Sequence, residues 1–351
     1  MFIIDAHLDL AMNALNWNRD LRRSVPEIRR QEEGMAQKGR ARGTTAFPEM
    51  RRGRVGVSLA TVIARVAYAP GSLDNRSHDI AYAKAQGQLA YYRILERQGL
   101  VKMIRDWPTL EGLAGAWKRG DENAPLGFIL SMEGADPIPT PDDLPGWWED
   151  GLRAVGLSHY GVSRYAHGTG TEGGLTAEGR PLLKAMEAQG VILDLTHLAD
   201  RAFWEALEAF GGPVLASHNN CRALVPGGRQ FTDEQVKAIV ARDGVIGAAL
   251  DAWMLYPGWV KGETPNTVVS LEDYVNHIDR VCQLAGDARH AAIGTDLDGG
   301  YGTEQCPHDL DTIADLQKTP GLLRKKGYKE EDVEGIMHGN WLRLFRRAWT
   351  K

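Results

Sequence analysis

Eight short apolar runs punctuate the chain, at 2–9, 55–63, 126–133, 152–159, 191–197, 213–218, 245–250 and 291–298. Each is short enough to be a buried strand of a parallel sheet. Helical spacing separates most of them. Asn75 to Gln98 predicts a long helix closed by Gly99, and Thr176 to Gln189 an amphipathic helix with Gly190 at its C-terminal cap. Thr232-Asp233-Glu234-Gln235 matches a capping box and opens a helix ending before Gly244; Ser270 to Leu284 is another, followed by Gly286. Strands and helices alternating in this way predict an α/β protein, a (β/α)8 TIM-like barrel, with a doubly wound open sheet as the alternative. Lys329 to Trp349 adds an extra C-terminal helix capping the barrel. The expected organisation is a single domain over 1–351 with an irregular excursion at about 19–54. That excursion is rich in Arg and broken by Pro26, Gly43 and Pro48. Few aromatics interleave with its charges, so it reads as a solvated segment with a helix of its own rather than a nucleic-acid patch. Gly168 to Gly174 reads as a mobile loop near the strand ends.

Polar residues interrupt the apolar pattern at one recurring place. Five runs end in residues able to hold a metal: His7 and Asp9 in the first, then Glu133, His197, His218, and Asp296 in the last. His7 and Asp9 are two apart, so a strand points both to the same side, and Asp5 shares that parity. Taken singly, a His on an apolar strand is more often a packed core residue than a ligand. Several at the carboxyl ends of strands in one barrel reverse that balance, because the fold converges them on one axis. Three His and two carboxylates, without Cys, suit Zn2+ or a similar ion. A carboxylate shared by two ions would hold them about 3.5–4 Å apart and let them acidify a bridging water to a hydroxide nucleophile.

Asp296 offers a carboxylate that takes and returns a proton. Its bland role is a turn or cap residue, for which Asp298, just before Gly299-Gly300, is the better candidate. His159 ends the fourth run and is open to three readings: a further ligand, an oxyanion stabiliser or a packed side chain. The His at 78, 167, 277, 290, 308 and 338 fall in helices or loops and read as structural or exposed. Cys221, three residues past His218, reads as a bystander.

Composition narrows the class of partner. The 351 residues are 43% hydrophobic and 25% charged, with a net charge of -5, which gives no reason to expect nucleic acid or an anionic membrane. No apolar stretch approaches the roughly 20 residues of a membrane span. Asp5, His7 and Asp9 fall where the apolar part of a signal peptide would lie, so a complete cytoplasmic chain is expected. Cys221, Cys282 and Cys306 are widely spaced and suggest neither a disulfide framework nor a zinc finger.

The motifs together resemble the membrane dipeptidase (renal dipeptidase) family, the M19 binuclear zinc peptidases within the amidohydrolase-like barrels. The matching segments run in family order along nearly the whole chain. They include Asp5-Ala6-His7-Leu8-Asp9-Leu10, Ser131-Met132-Glu133-Gly134, Leu157-Ser158-His159, Gly174-Leu175-Thr176 and Asp194-Leu195-Thr196-His197. Ala216-Ser217-His218-Asn219, Arg229-Gln230-Phe231-Thr232-Asp233, Gly294-Thr295-Asp296-Leu297-Asp298-Gly299 and His338-Gly339-Asn340-Trp341-Leu342-Arg343 follow. The resemblance implies two Zn2+ per chain, with His7 and Asp9 on one, His197 and His218 on the other, and Glu133 bridging. It implies that His159 polarises the scissile carbonyl and that Asp296 relays the proton and meets the substrate's amino group. It assigns Arg229 to the C-terminal carboxylate of a dipeptide, a task suited to its planar fork of donors. Homodimers are common in the family.

The chain departs from the family pattern around the substrate. Leu8 stands where Asn is usual, Gln230 where Asn often follows the Arg, and Gly227-Gly228 where His-Pro is common. Ser58-Leu59-Ala60-Thr61 replaces the Phe-Trp-Ser of the animal enzymes, and Tyr160-Gly161 follows His159 where Asn is common. Metal-dependent hydrolysis is therefore expected, with side-chain preference left open. A zinc dipeptidase tolerant of L-Xaa-D-Xaa substrates is the leading reading. A binuclear amidohydrolase acting on N-acyl amino acids or another small amide or lactone is the alternative. A non-catalytic metal-binding scaffold is the third, and the intact ligand set with Asp296 argues against it.

Overall fold

The computed structural model describes residues 1–66 and 74–350. Its strands are β1 (Ile3–Leu8), β2 (Val55–Ile63), β3 (Val101–Met103), β4 (Leu126–Glu133), β5 (Leu152–Gly156), β6 (Ile192–Asp194), β7 (Val214–Ala216), β8 (Val245–Ala248) and β9 (Ala291–Ile293). Eight of them form a parallel path, β1-β2-β4-β5-β6-β7-β8-β9, and β3 pairs with β4 outside that path. The three residues of β3 are too few to carry a legible alternation. Continuous burial along β1 and β4 follows from a sheet covered on one face by helices and filled on the other by its own side chains.

No regular ladder joins β9 to β1 among the described residues; side chains close the barrel instead. The Thr295 backbone N–H and hydroxyl donate to Asp5 at 2.9 and 2.6 Å. The Asp296 N–H reaches the His7 carbonyl at 3.3 Å. Burial lifts Asp5 to a pKa of about 6, against the hydrogen bonds from Thr295. Where β7, β8 and β9 converge, only glycine fits: a Cβ on Gly294 would lie 1.8 Å from the Ser217 carbonyl oxygen, and one on Gly247 would lie 2.2 Å from it.

The long helix starts at His78, not Asn75, because the Ser77 side chain caps it by accepting from the Ile80 N–H. The other patterned helices form at Gly179–Gln189, Asp233–Ala241 and Leu271–Ala285, with left-handed Gly190 and Gly286 ending the first and third. The C-terminal helix is interrupted by a π-turn at Gly335–Gly339 before continuing over Asn340–Trp349.

Two further expectations change. The excursion at 19–54 carries two short helices, Val25–Gln31 and Phe47–Arg52, and is not a solvated segment throughout. Arg19, Glu32, Thr44 and Thr45 are buried. Arg19 Nε and Nη2 donate to the two Glu32 oxygens at 2.8 and 3.0 Å, while its Nη1 lies 3.4 Å from Asp298. Asp298 accepts from the Thr44 N–H and hydroxyl at 2.8 and 2.7 Å and from the Thr45 N–H at 3.0 Å. The excursion is thus fastened to the loop after β9, because a buried carboxylate needs this many donors to stay in place. The Gly168–Gly174 segment, expected to be mobile, is knitted to its surroundings. Thr169 N donates to the His159 carbonyl at 3.0 Å, and Gly168 N to that of Gly161 at 2.8 Å. No helix among the described residues is long and apolar enough to cross a membrane.

Candidate metal centre

The ladders of β6, β7 and β9 stop before the functional candidates they lead to, so His197, His218 and Asp296 sit on turns just past the strand ends. His197 and Asp296 adopt left-handed φ of 68° and 59°. Such conformations are costly for residues with a Cβ and persist where surrounding structure enforces them. Here they bend the chain out of the ladder and aim the side chains at the barrel axis. Gly134, with φ 79°, turns the chain sharply after Glu133.

Glu133 stands at the centre. Its Oε1 lies 3.1 Å from His197 Nε2, 3.3 Å from His218 Nε2 and 3.7 Å from His159 Nε2. Its Oε2 lies 3.7 Å from His7 Nε2. His7 Nε2 in turn faces Asp9 Oδ2 at 3.9 Å and Asp296 Oδ1 at 3.8 Å. All five predicted ligands therefore meet at one place, and the two Glu133 oxygens face different partners. His159 and Asp296 join them, so Asp296 stands among the ligand candidates as well as beside them.

The donor set fits divalent cations. His7 Nε2 and Asp9 Oδ1 are buried without a hydrogen-bond partner, as is His159 Nδ1. The Nε2 atoms of His197 and His218 approach to 3.2 Å. Burial drives the pKa of His159, His197 and His218 down, and the Arg229 charge adds to the effect. That shift favours the neutral imidazole, the form metal ligation requires. Burial opposes charge on His7, yet Glu133, Asp9 and Asp296 outweigh it and raise its pKa to about 10. Burial likewise pushes Glu133 up to about 8 and holds Asp296 well above the carboxylate range. Three carboxyl groups packed in a dry site call for positive charge.

Hydroxyl groups orient the imidazoles. Thr169 Oγ1 lies 2.9 Å from His197 Nδ1 and donates to the His197 carbonyl at 3.2 Å, so it is left to accept the Nδ1–H. Ser217 Oγ lies 2.9 Å from His218 Nδ1 and donates to Thr196 Oγ1 at 3.4 Å. Thr61 Oγ1 stands farther off, 3.5 Å from His7 Nδ1. The Thr169 and Ser217 contacts favour the Nδ1–H tautomer and leave Nε2 of His197 and His218 to face the centre. Asp194 braces the same turns, its Oδ1 accepting from the Thr196 and Ser217 N–H groups at 3.0 Å each.

A cavity of about 170 Å3 opens onto the centre and is lined by Asp9, Glu133, His159, His197, Arg229 and Asp296 among others. Arg229 is buried and fixed by donating to Asn219 Oδ1 and, at 2.8 Å, to the His218 carbonyl. Its remaining N–H donors are available to the cavity. The cavity also takes in Lys38, Asp251, Trp253, Lys261 and Gln305, none of them a candidate from the motifs. Only Asp251 carries a legible signal, since it follows the 245–250 run as the ligands follow theirs. The remaining histidines stay outside the centre, and Cys221 is a buried bystander whose N–H donates to His277 Nδ1 at 3.0 Å.

Comparison with known proteins identifies the family. A family model, Membrane dipeptidase (Peptidase family M19), matches residues 1–350. An uncharacterised protein of Klebsiella pneumoniae, from the pqqA 5' region, is 30% identical over 244 residues, 67% of this chain and 86% of that protein. Dipeptidase aclJ of Aspergillus oryzae is 26% identical over 318 residues, 86% of this chain and 69% of its own length. Among solved structures, the dipeptidase AC, a metallopeptidase of family M19, superposes with a TM-score of 0.79 at 22% identity, covering 100% of this chain and 99% of that one. A Rhodobacter sphaeroides metallopeptidase, liganded with a phosphinate mimic of the dipeptide L-Ala-D-Ala, gives 0.79 at 22% identity and 99% coverage of both chains. At that identity the two structures speak for the barrel fold, and the family match speaks for the chemistry. The chain belongs to the membrane dipeptidase family, peptidase family M19, and is a metallo-dipeptidase hydrolase.

Proposed function

We propose that the chain cleaves dipeptides with free termini at a two-zinc centre held by His7, Asp9, Glu133, His197 and His218, with Glu133 shared. The observation that carries this reading is the division of Glu133, one oxygen facing His197 and His218 and the other facing His7. Zinc bound there supplies Lewis acidity, polarising a carbonyl and acidifying water. The residues around it supply the rest. Neutral His159, at the cavity wall, stabilises negative charge developing on the scissile carbonyl oxygen. Asp296, which lines the cavity with its carboxylate 3.8 Å from His7, removes a proton from the attacking water and returns it to the leaving amine. The same group meets the substrate's free amino end. Arg229 receives the C-terminal carboxylate, positioning the peptide bond through remote binding energy. The small cavity suits a dipeptide better than a longer chain. The Rhodobacter protein's phosphinate ligand supports including L-Xaa-D-Xaa substrates.

The test is a panel of L,L and L,D dipeptides, their C-terminal amides and N-acyl amino acids, assayed with zinc-loaded protein alongside elemental analysis. Turnover of free dipeptides with about two zinc per chain, the number a two-metal hydrolase requires, supports the reading. Hydrolysis of N-acyl amino acids alone moves the function to the amidohydrolase alternative.

A further inference from the structure

We propose that this cavity selects dipeptides bearing an acidic side chain, whose carboxylate is held by Lys38 and Lys261. The inference rests on the dipeptidase reading above and assigns its specificity.

Away from the ligand cluster, part of the cavity wall is built from three separate regions of the chain. Lys38 comes from the excursion before β2, Asp251, Trp253 and Lys261 from the segment after β8, and Gln305 from the loop beyond β9. Hydrogen bonds join them in series. Lys38 Nζ donates to Gln305 Oε1 at 2.6 Å, and Gln305 Nε2 donates to Asp251 Oδ1 at 2.6 Å. The Trp253 indole donates to Asp251 Oδ2, also at 2.6 Å, and the Lys261 ammonium lies 4.7 Å over the centre of a Trp253 ring. Asp251 and Gln305 are buried, so the frame beneath the two lysines is fixed by packing as well as by bonds.

Lys38 and Lys261 are exposed at the cavity, and protein acceptors leave part of their donor capacity free. Asp251 already accepts at both oxygens, and Glu304, the other carboxylate whose charge reaches Lys38, accepts from the Gly302 N–H. Neither lysine has a carboxylate oxygen within 4.0 Å among the described residues. Each ammonium carries three donors, of which the Gln305 contact occupies one on Lys38. Partial desolvation and repulsion from Lys261 lower the Lys38 pKa in spite of Asp251 and Glu304 nearby. An anion between the two lysines relieves that repulsion and fills the donors. The C-terminal carboxylate does not meet this need, because Arg229, anchored beside His218, already serves it. A side-chain carboxylate is the remaining acidic group a dipeptide offers.

The experiment compares kcat/KM for isosteric pairs with identical termini: Glu-Ala against Gln-Ala and Ala-Glu against Ala-Gln, each with L and D second residues. In at least one pair the acidic member should be favoured about 10-fold or more, mainly through KM, the range in which charged contacts at a recognition site discriminate. In the Lys38→Met, Lys261→Met double variant that ratio should fall towards one. Lys261→Glu should turn it below one, and salt should compress it in the wild type. Equal kcat/KM for Glu and Gln members in every wild-type pair overturns the assignment, as does a preference that survives both variants. If no dipeptide is turned over by metal-loaded protein, the dipeptidase reading itself fails and this specificity with it.

Discussion

Replacing Thr169 by Val removes one hydroxyl and little volume. That hydroxyl lies 2.9 Å from His197 Nδ1, in a residue only 7% exposed. Water has little access to replace it. The Thr169 N–H remains bonded to the His159 carbonyl, so the backbone of the segment keeps its anchor. The variant strands the buried Nδ1–H of His197, and an unsatisfied buried donor costs about 1–3 kcal/mol. It also frees the ring to take the other tautomer, which presents N–H rather than a lone pair to the centre. At about 1.4 kcal/mol per factor of ten, metal affinity should fall roughly 5- to 150-fold, in line with measured losses for outer-shell partners. Competition of the metal-free protein against a chromophoric chelator measures this directly. Thr171→Val is the control, because its hydroxyl donates to the Gly168 carbonyl at 2.7 Å and touches no imidazole. Wild-type affinity in Thr169→Val, or an equal loss in Thr171→Val, would refute the orienting role.

Four further outcomes are expected. Asp296→Asn should keep most of its metal yet lose about 10²-fold or more in kcat, the scale of a general acid–base group, and near-normal turnover would remove it from proton transfer. Arg229→Ala should lower kcat/KM on free dipeptides by roughly 10²–10³-fold, with little further loss on dipeptide amides and partial recovery in Arg229→Lys. Asp298→Ala leaves Arg19 and the Thr44–Thr45 donors without their buried partner. Loss of one member of such a cluster costs on the order of 3–5 kcal/mol, so urea unfolding should show a clear drop in stability. Burial lowers the pKa of His277 to about 4, so it stays neutral in the fold while its unfolded counterpart protonates near 6.5. Its stabilising contribution is complete above pH 6.5 and is lost as pH falls towards 4. Unfolding free energies at pH 7 and 5 should therefore differ less in His277→Asn, which keeps an acceptor for the Cys221 N–H, than in wild type.

The candidate ligand positions were legible in the chain because strand burial and strand termination are local events. An apolar run must stop where its side chains stop being covered, and a His or carboxylate at that point is conspicuous by its chemistry. His7, Asp9, Glu133, His197 and His218 stand out on that ground alone, and the barrel then brings them to a common axis. The glycine-closed and capped helices are legible for the same reason. What local pattern cannot carry is the partnership of residues far apart in sequence. Thr169 meets His197, Asp5 meets Thr295, and Arg19 and Thr44 meet Asp298 only once the barrel has closed. Nothing in the periodicity of residues 19–54 marks them as part of the cavity, since their polar side chains look like any solvated segment. Burial there follows from the excursion folding over the loop after β9, which also brings Lys38 to Gln305 and Asp251. Local sequence therefore determined which groups could hold metal, through the short-range physics of strands and turns. Tertiary structure decided which hydroxyls approach those groups and which charges line the cavity, because contacts of that kind depend on distances that only the closed barrel sets.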